Sequence, residues 1–325
     1  MNKDNDILKF LLASIIALGV VVGIIYLFVW DNNNKLHGKL VFTETFNKGN
    51  DIDKIELLTS EEKVVLNQKN SYWTVENRNN YYADFTMINT LLNSLNKSIY
   101  SIRFPYVEET EKNKYLKNPA KVKENSGILI RTFVNDKKID EIIVGLSDES
   151  KNYHFARNLK DDNIWLISES FNLPIYSKDW ILRPIVSIPI KNTEIIQIDD
   201  KQINRLDEFT PFYNQKGEVI NIDVLEDVLS MLYAVDAIPQ AEFEKNIINK
   251  TQKRSVRIST FIGLIFELDI FSSDDKKVWC KIKLSSTSLP MRVVNDYIND
   301  NKFLNDGWYF EISNEQGHII RDFRL

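Results

Sequence analysis

Asp53-Lys54-Ile55-Glu56-Leu57-Leu58, Lys63-Val64-Val65-Leu66-Asn67-Gln68 and Ser71-Tyr72-Trp73-Thr74-Val75 stand in a row, followed by Ala83-Asp84 and then Ile88, Leu91, Leu92 and Leu95. The first stretch alternates apolar and polar residues and the third sets Tyr72 and Thr74 opposite Trp73 and Val75, and each of the three reads as a strand. Gln68-Lys69-Asn70 supplies turn residues between the second and third. The last four apolar positions are three and four apart, so they share one face of a helix, with Asp84 placed to cap it. The unit is three strands and a helix.

The same order recurs further along. Thr193-Glu194-Ile195-Ile196-Gln197-Ile198 is a strand of the same kind, Lys201 to Phe212 holds weaker ones, and Asp223 precedes Leu225, Val228, Leu229 and Leu232. The two apolar helix faces match one for one at an offset of roughly 140 residues, which points to a duplication. Each helix is followed by more strands. After the first come 128–133, 140–145, 153–157 and 164–167. After the second come 255–261, 264–271, 277–284 and 308–312. Tight links are expected at 134–138 and 272–276. Asn172 to Pro189 reads as an irregular connector. The expected fold is α+β: two duplicated, mainly antiparallel sheet-plus-helix units, 51–175 and 191–325, joined by a connector at 176–190.

Ahead of them, after a short tail (1–9), Phe10 to Trp30 is an apolar run whose one markedly polar member is Ser14. Its length of about 21 residues gives a helix of about 31 Å, enough to span a hydrocarbon core. Tyr26 and Trp30 close it as aromatic rings do at the headgroup level. A cleaved signal peptide is the rival; it needs a shorter apolar region and a small-residue cleavage site, and neither is present. The run is therefore read as one uncleaved transmembrane anchor. Lys3 and Lys9 on one side nearly balance Lys35 and Lys39 on the other. The ectodomain is placed outside the cytoplasm because short tails before an anchor usually stay inside. Gly19 and Gly23 have the spacing of a helix–helix contact, although glycines are common in membrane helices anyway. Residues 31–50 read as a polar linker with a short apolar insert.

The formal net charge of −5 carries no basic stripe, so nucleic acid is not an expected partner. Cys280 is the single cysteine, so no intrachain disulfide forms; it sits in an alternating strand pattern and reads as a small buried hydrophobe.

No catalytic, cofactor-binding or metal-binding residue is assigned. Of the three histidines, His37 falls in the linker, His154 is expected to face out of a strand, and His318 follows Gly317 in an expected turn. No H-x-x-H pair, nucleophile elbow or phosphate-binding glycine loop occurs. The pairs Asp161-Asp162, Asp199-Asp200 and Asp274-Asp275 offer carboxylates for glycoside hydrolysis, but their Lys, Asn and Ser neighbours suit solvated turns better. Trp73, Trp165, Trp279 and Trp308 lie on expected strands and read as core, with an exposed binding platform as the alternative. Trp180 lies in the connector.

The order of the anchor, the Ile52/Ile55/Leu57 strand, Trp73-Thr74-Val75, Tyr82-Ala83-Asp84 and Leu91-Leu92-Asn93-Ser94-Leu95 resembles the domain of unknown function family 4340. Lys178-Asp179-Trp180-Ile181-Leu182 and the stretch from Asn299 to Gly307-Trp308-Tyr309-Phe310 fit the same pattern. The chain departs from it in its lysine- and asparagine-rich loops and in ending soon after the Trp308 strand. The resemblance implies a single-pass bacterial inner-membrane protein with a periplasmic domain, an auxiliary of an ABC-type transport system. Its partners would be a permease and an ATPase that does the hydrolysis. A ligand-binding module for a glycan, lipid or peptide, without a transporter partner, is the alternative. Neither reading makes the chain an enzyme.

Overall fold

The computed structural model describes residues 14–24, 36–69, 72–148, 152–159, 163–169, 171, 173–188, 190–248, 251–273, 277–288 and 292–324. Residues 14–24 form an exposed helix, α1. Among the described residues no helix is long and apolar enough to cross a membrane. The rest of the Phe10–Trp30 run lies outside them.

The first half of the chain carries α2 (Thr43–Asn47), β1 (Lys54–Leu58), β2 (Lys63–Lys69), β3 (Tyr72–Val75), β4 (Tyr81–Tyr82), α3 (Phe85–Lys97), β5 (Tyr100–Phe104), α4 (Glu108–Asn113), β6 (Ile128–Val134), β7 (Lys137–Ser147), β8 (Tyr153–Arg157) and β9 (Ile164–Ser168). The second half begins with β10 (Pro184–Val186), β11 (Thr193–Ile198), β12 (Lys201–Asn204), β13 (Phe212–Asn214) and β14 (Val219–Ile220). It continues through α5 (Asp223–Ser230), β15 (Leu232–Pro239), α6 (Gln240–Asn246), β16 (Thr251–Thr260), β17 (Leu264–Ser273) and β18 (Val278–Ser286). It closes with α7 (Arg292–Asp300), β19 (Trp308–Ile312) and α8 (Asn314–Asp322).

The fold is α+β with two large antiparallel sheets. One has nine strands in the order β4-β3-β2-β1-β6-β7-β8-β9-β5. The other has ten, in the order β10-β15-β19-β18-β17-β16-β11-β12-β13-β14. Read from the other edge, the nine-stranded order coincides with that of the second sheet once β10 is set aside. β1 stands where β11 does, β5 where β15 does, and the Trp165 strand β9 where the Trp308 strand β19 does. Helix α3 precedes β5 as α5 precedes β15, and α4 follows β5 as α6 follows β15.

The described residues form two compact units, one from Met1–Lys63 and Asn89–Ile175, the other from Val64–Ile88 and Tyr176–Leu325. A boundary falls between Ile175 and Tyr176, but residues 64–88, which hold most of β2, all of β3 and β4 and the start of α3, cluster with the second unit.

In the first unit Leu116, Leu129, Ile143 and Ile164 make a closed apolar cluster, with Leu58, Phe104 and Phe155 packed on it. The β6–β7 hairpin turns on Asn135 (φ 49°) and Asp136 (φ 60°), both left-handed, the pattern of a tight two-residue turn that suits Asn and Asp. The linker expected to run to residue 50 is folded from residue 36 onward. Phe42 is fully buried, and Thr45 in α2 ties to Asp140 through its amide (2.7 Å) and hydroxyl (2.9 Å). Val41 and Phe42 are the reason, since two adjacent apolar side chains gain more by burial than by exposure in a linker.

In the second unit Phe243 of α6 lies on Phe271, Trp279 and Tyr309 of the sheet. The stretch read as an irregular connector is woven into this unit: β10 pairs with β15, and Trp180, Ile181, Ile185, Val186 and Ile188 are buried.

Helix α3 starts as expected, with the Asp84 carboxylate accepting from the Met87 amide (3.1 Å). Ile88, Leu91 and Leu95 are buried, while Leu92 is only half-buried. Helix α5 differs from its counterpart. Asp223 is its first residue and Ile222 precedes it without a side-chain cap. Leu232 does not lie on its face; the helix ends at Ser230 and Leu232 opens β15.

Candidate functional site

An apolar cleft of about 240 Å³ lies in the second unit. Its walls are Tyr72, Trp73, Tyr82, Phe85, Leu182 and Phe303, with Asp300 and Lys302 at its edge. The strand register explains why tyrosines face it. Thr74 pairs with Tyr82 and Val75 with Tyr81, so Tyr72 lies diagonal to Tyr82 on one face while Tyr81 points the other way. Tyr81 is fully buried against Trp308 (ring centroids 4.8 Å apart) and Phe310 (5.7 Å). Tyr82 meets the edge of Tyr72 at 5.6 Å and 88°.

Three further segments complete the walls. The Trp180 carbonyl accepts from the Asp84 amide (2.8 Å) and the Leu182 amide donates to the Tyr82 carbonyl (2.9 Å), which lays Leu182 alongside β4. The Asp84 cap sets the first residue of α3, so Phe85 stands 68% exposed at the mouth. A short turn at Lys302–Asn305 brings Phe303 within 5.7 Å of Tyr82 at 55°. Buried Leu304 anchors that turn. Asn305 clamps it to β18, accepting from the Leu284 amide (2.9 Å) and donating to the Leu284 carbonyl (3.0 Å).

The polar groups are few and placed at the rim. The Tyr82 hydroxyl donates to Asp306 (3.3 Å). Burial, and then the Asp306 carboxylate, push the Tyr82 phenol above its ordinary value, so it stays protonated and donating. The Lys302 ammonium stands over the Tyr72 ring, 5.8 Å from its centroid. The arrangement can hold a small apolar or cationic group by contact and ring electrostatics. It presents no nucleophile paired with a base.

The other expected positions are dispersed. His37 is exposed and bonds the Ser101 carbonyl. His154 was expected to face out, but it is 7% exposed: β8 buries His154 and Ala156 and turns Tyr153 outward. Its ring packs on Phe171, and burial holds the imidazole below its ordinary value. His318 is not in a turn; it lies within α8, where Gly317 sits against β18. Asp199-Asp200 is an exposed turn, with Asp199 accepting from the Ser255 amide (3.1 Å). Asp161-Asp162 and Asp274-Asp275 lie outside the described residues. Cys280 is buried and its thiol is pushed well up by desolvation. Trp73, Trp165, Trp279 and Trp180 are core residues, whereas Trp308 is half-buried. Among the described residues no three His, Cys, Asp or Glu side chains are grouped to hold a metal.

A second, polar hollow at Arg254, Arg321 and Arg324 is a helix end. Arg254 spends its guanidinium on the carbonyls of Ile320, Arg321 and Phe323, the orphan acceptors at the end of α8.

Sequence reasoning missed the cleft. Tyr72, Tyr82, Lys302 and Phe303 each sit beside ordinary neighbours, and only the β3–β4 register hints that two of the rings meet. No protein-family model, curated protein or solved structure matches the chain.

Proposed function

We propose that this is a membrane-anchored envelope protein that acts by binding, with the aromatic cleft of the second unit as its recognition site. The observation that carries the reading is the cleft itself: four exposed or half-exposed rings on separate segments, held by backbone bonds and the Asn305 clamp, with polar groups confined to the rim. Such clefts, apolar with a few placed polar groups, are where ligands and partner side chains are usually held. Phe10 to Trp30 supplies the tether, with the folded part outside the inner membrane. The shared strand order supports a duplication of 51–175 and 191–325. The resemblance to family 4340 supports a place beside an ABC permease and ATPase, which would do the hydrolysis.

A ligand-binding module without a transporter is favoured by one observation, the cleft's size, which suits a single ring or head group.

Protease added to spheroplasts should remove everything beyond Asp31, and a protected domain reverses the orientation. A photoreactive residue at Tyr72 should crosslink one partner in native membranes, while one at exposed Lys216 should not. Equal capture from both positions rejects the cleft as the recognition site.

A further inference from the structure

We infer that the cleft takes an organic cation of the quaternary ammonium class. The inference rests on the reading of the cleft as the recognition site. Tyr72 and Tyr82 meet at 88° and Tyr82 and Phe303 at 55°, with neighbouring centroids 5.6 and 5.7 Å apart. Rings set at such angles line an open box rather than a flat stack, and it is their faces, not their positive edges, that attract a cation. Boxes of this kind recognise alkylated ammonium groups, whose charge is diffuse and cheap to desolvate.

Two further observations point the same way. Lys302 already places its ammonium over the Tyr72 ring, so that face accepts a cation. The carboxylates of Asp300 and Asp306 stand at the rim, and the Tyr82 hydroxyl is hydrogen-bonded to Asp306. Asp300 balances Lys302 in the lining, and Asp306, behind the Tyr82 hydroxyl, adds a second carboxylate without a second lysine in the lining. A neutral sugar is served less well, because the lining offers little beyond apolar surface for its hydroxyls. Lys302 acts as a resident competitor: its strongly hydrated ammonium sits weakly on the ring and yields to a quaternary group.

The test is calorimetric titration of the full chain in a maltoside detergent. Choline is one probe, and its uncharged isostere 3,3-dimethylbutan-1-ol is the other. Choline should bind about tenfold more tightly. Lys302→Met should tighten choline further by removing the competitor, and Tyr72→Leu and Phe303→Leu should each weaken it about tenfold. Glycerophosphocholine distinguishes the source: tighter binding than choline identifies a lipid head group, and equal binding a free quaternary ammonium alcohol. Equal affinity for choline and the isostere, or no binding of choline to Lys302→Met, overturns the inference. Crosslinking from Tyr72 is measured separately, so loss of the cation class with retained crosslinking leaves the binding role standing.

Discussion

A Cβ added at Gly317 would stand 2.5 Å from the Cβ of Val278. Helix α8 rests directly on β18, backbone against side chain, and glycine is what permits the approach. Gly317→Ala therefore overpacks the contact and should lower stability by about 1–3 kcal/mol in urea denaturation. Val278→Gly removes the Cβ and both Cγ atoms that the added methyl would meet. The double variant should be more stable than the sum of the two single losses, and additive losses would show that the contact is not the cause.

Leu91 and Leu229 are buried on α3 and α5, whereas Asn93 and Ser230 are exposed. Leu→Ala at either buried site should cost about 2–5 kcal/mol. Alanine at Asn93 or Ser230 should change stability by no more than about 0.5 kcal/mol. Leu92, half-buried, should fall between. Indistinguishable losses at buried and exposed positions would refute the phasing of the helices.

His154 makes the first unit sensitive to acid. Burial holds its imidazole below the ordinary 6.5, against smaller opposing pulls from the Glu169 carbonyl and Asp148. The unfolded chain therefore takes up the proton first. The stabilisation is complete above the unfolded value and is lost as pH falls from there toward the lower folded value. Thermal unfolding between about pH 7.5 and 5 should show a steeper drop for the natural chain than for His154→Gln. Parallel curves would exclude His154 as the titrating group.

The Tyr81 hydroxyl is buried with no hydrogen-bond partner, and its phenol is pushed far up by desolvation. An orphaned buried hydroxyl costs about 1–3 kcal/mol. Tyr81→Phe removes it and keeps the ring contacts with Trp308 and Phe310, so the denaturation midpoint should stay level or rise. A clear fall would mean that the hydroxyl has a partner.

Local structure was legible in short runs of residues. Period-two stretches such as Thr193–Ile198 became strands, the 88/91/95 spacing became a buried helix face, and Asp84 became a cap. Backbone periodicity and capping act within a few residues, so they are written in neighbouring letters. The recurrence of strands and a helix along the chain was legible for the same reason, whereas the order of the strands within each sheet was not. The elements missed were short or adjacent to helices: β5 and β15 follow directly on helices, and α4 and α6 lack a long apolar face.

Packing between distant segments chose which face β8 buries, which puts His154 inside, and laid Gly317 of α8 against Val278. It also decided the cleft. Tyr72, Tyr82, Phe85 and Phe303 come from four elements separated by up to 231 positions of numbering, and each is an unremarkable aromatic residue where it stands. Their meeting depends on strand register, on the Trp180–Asp84 and Leu182–Tyr82 backbone bonds and on the Asn305 clamp. Such pairings between distant segments are selected by the packing of the whole unit, where each contact is satisfied only once the others have formed.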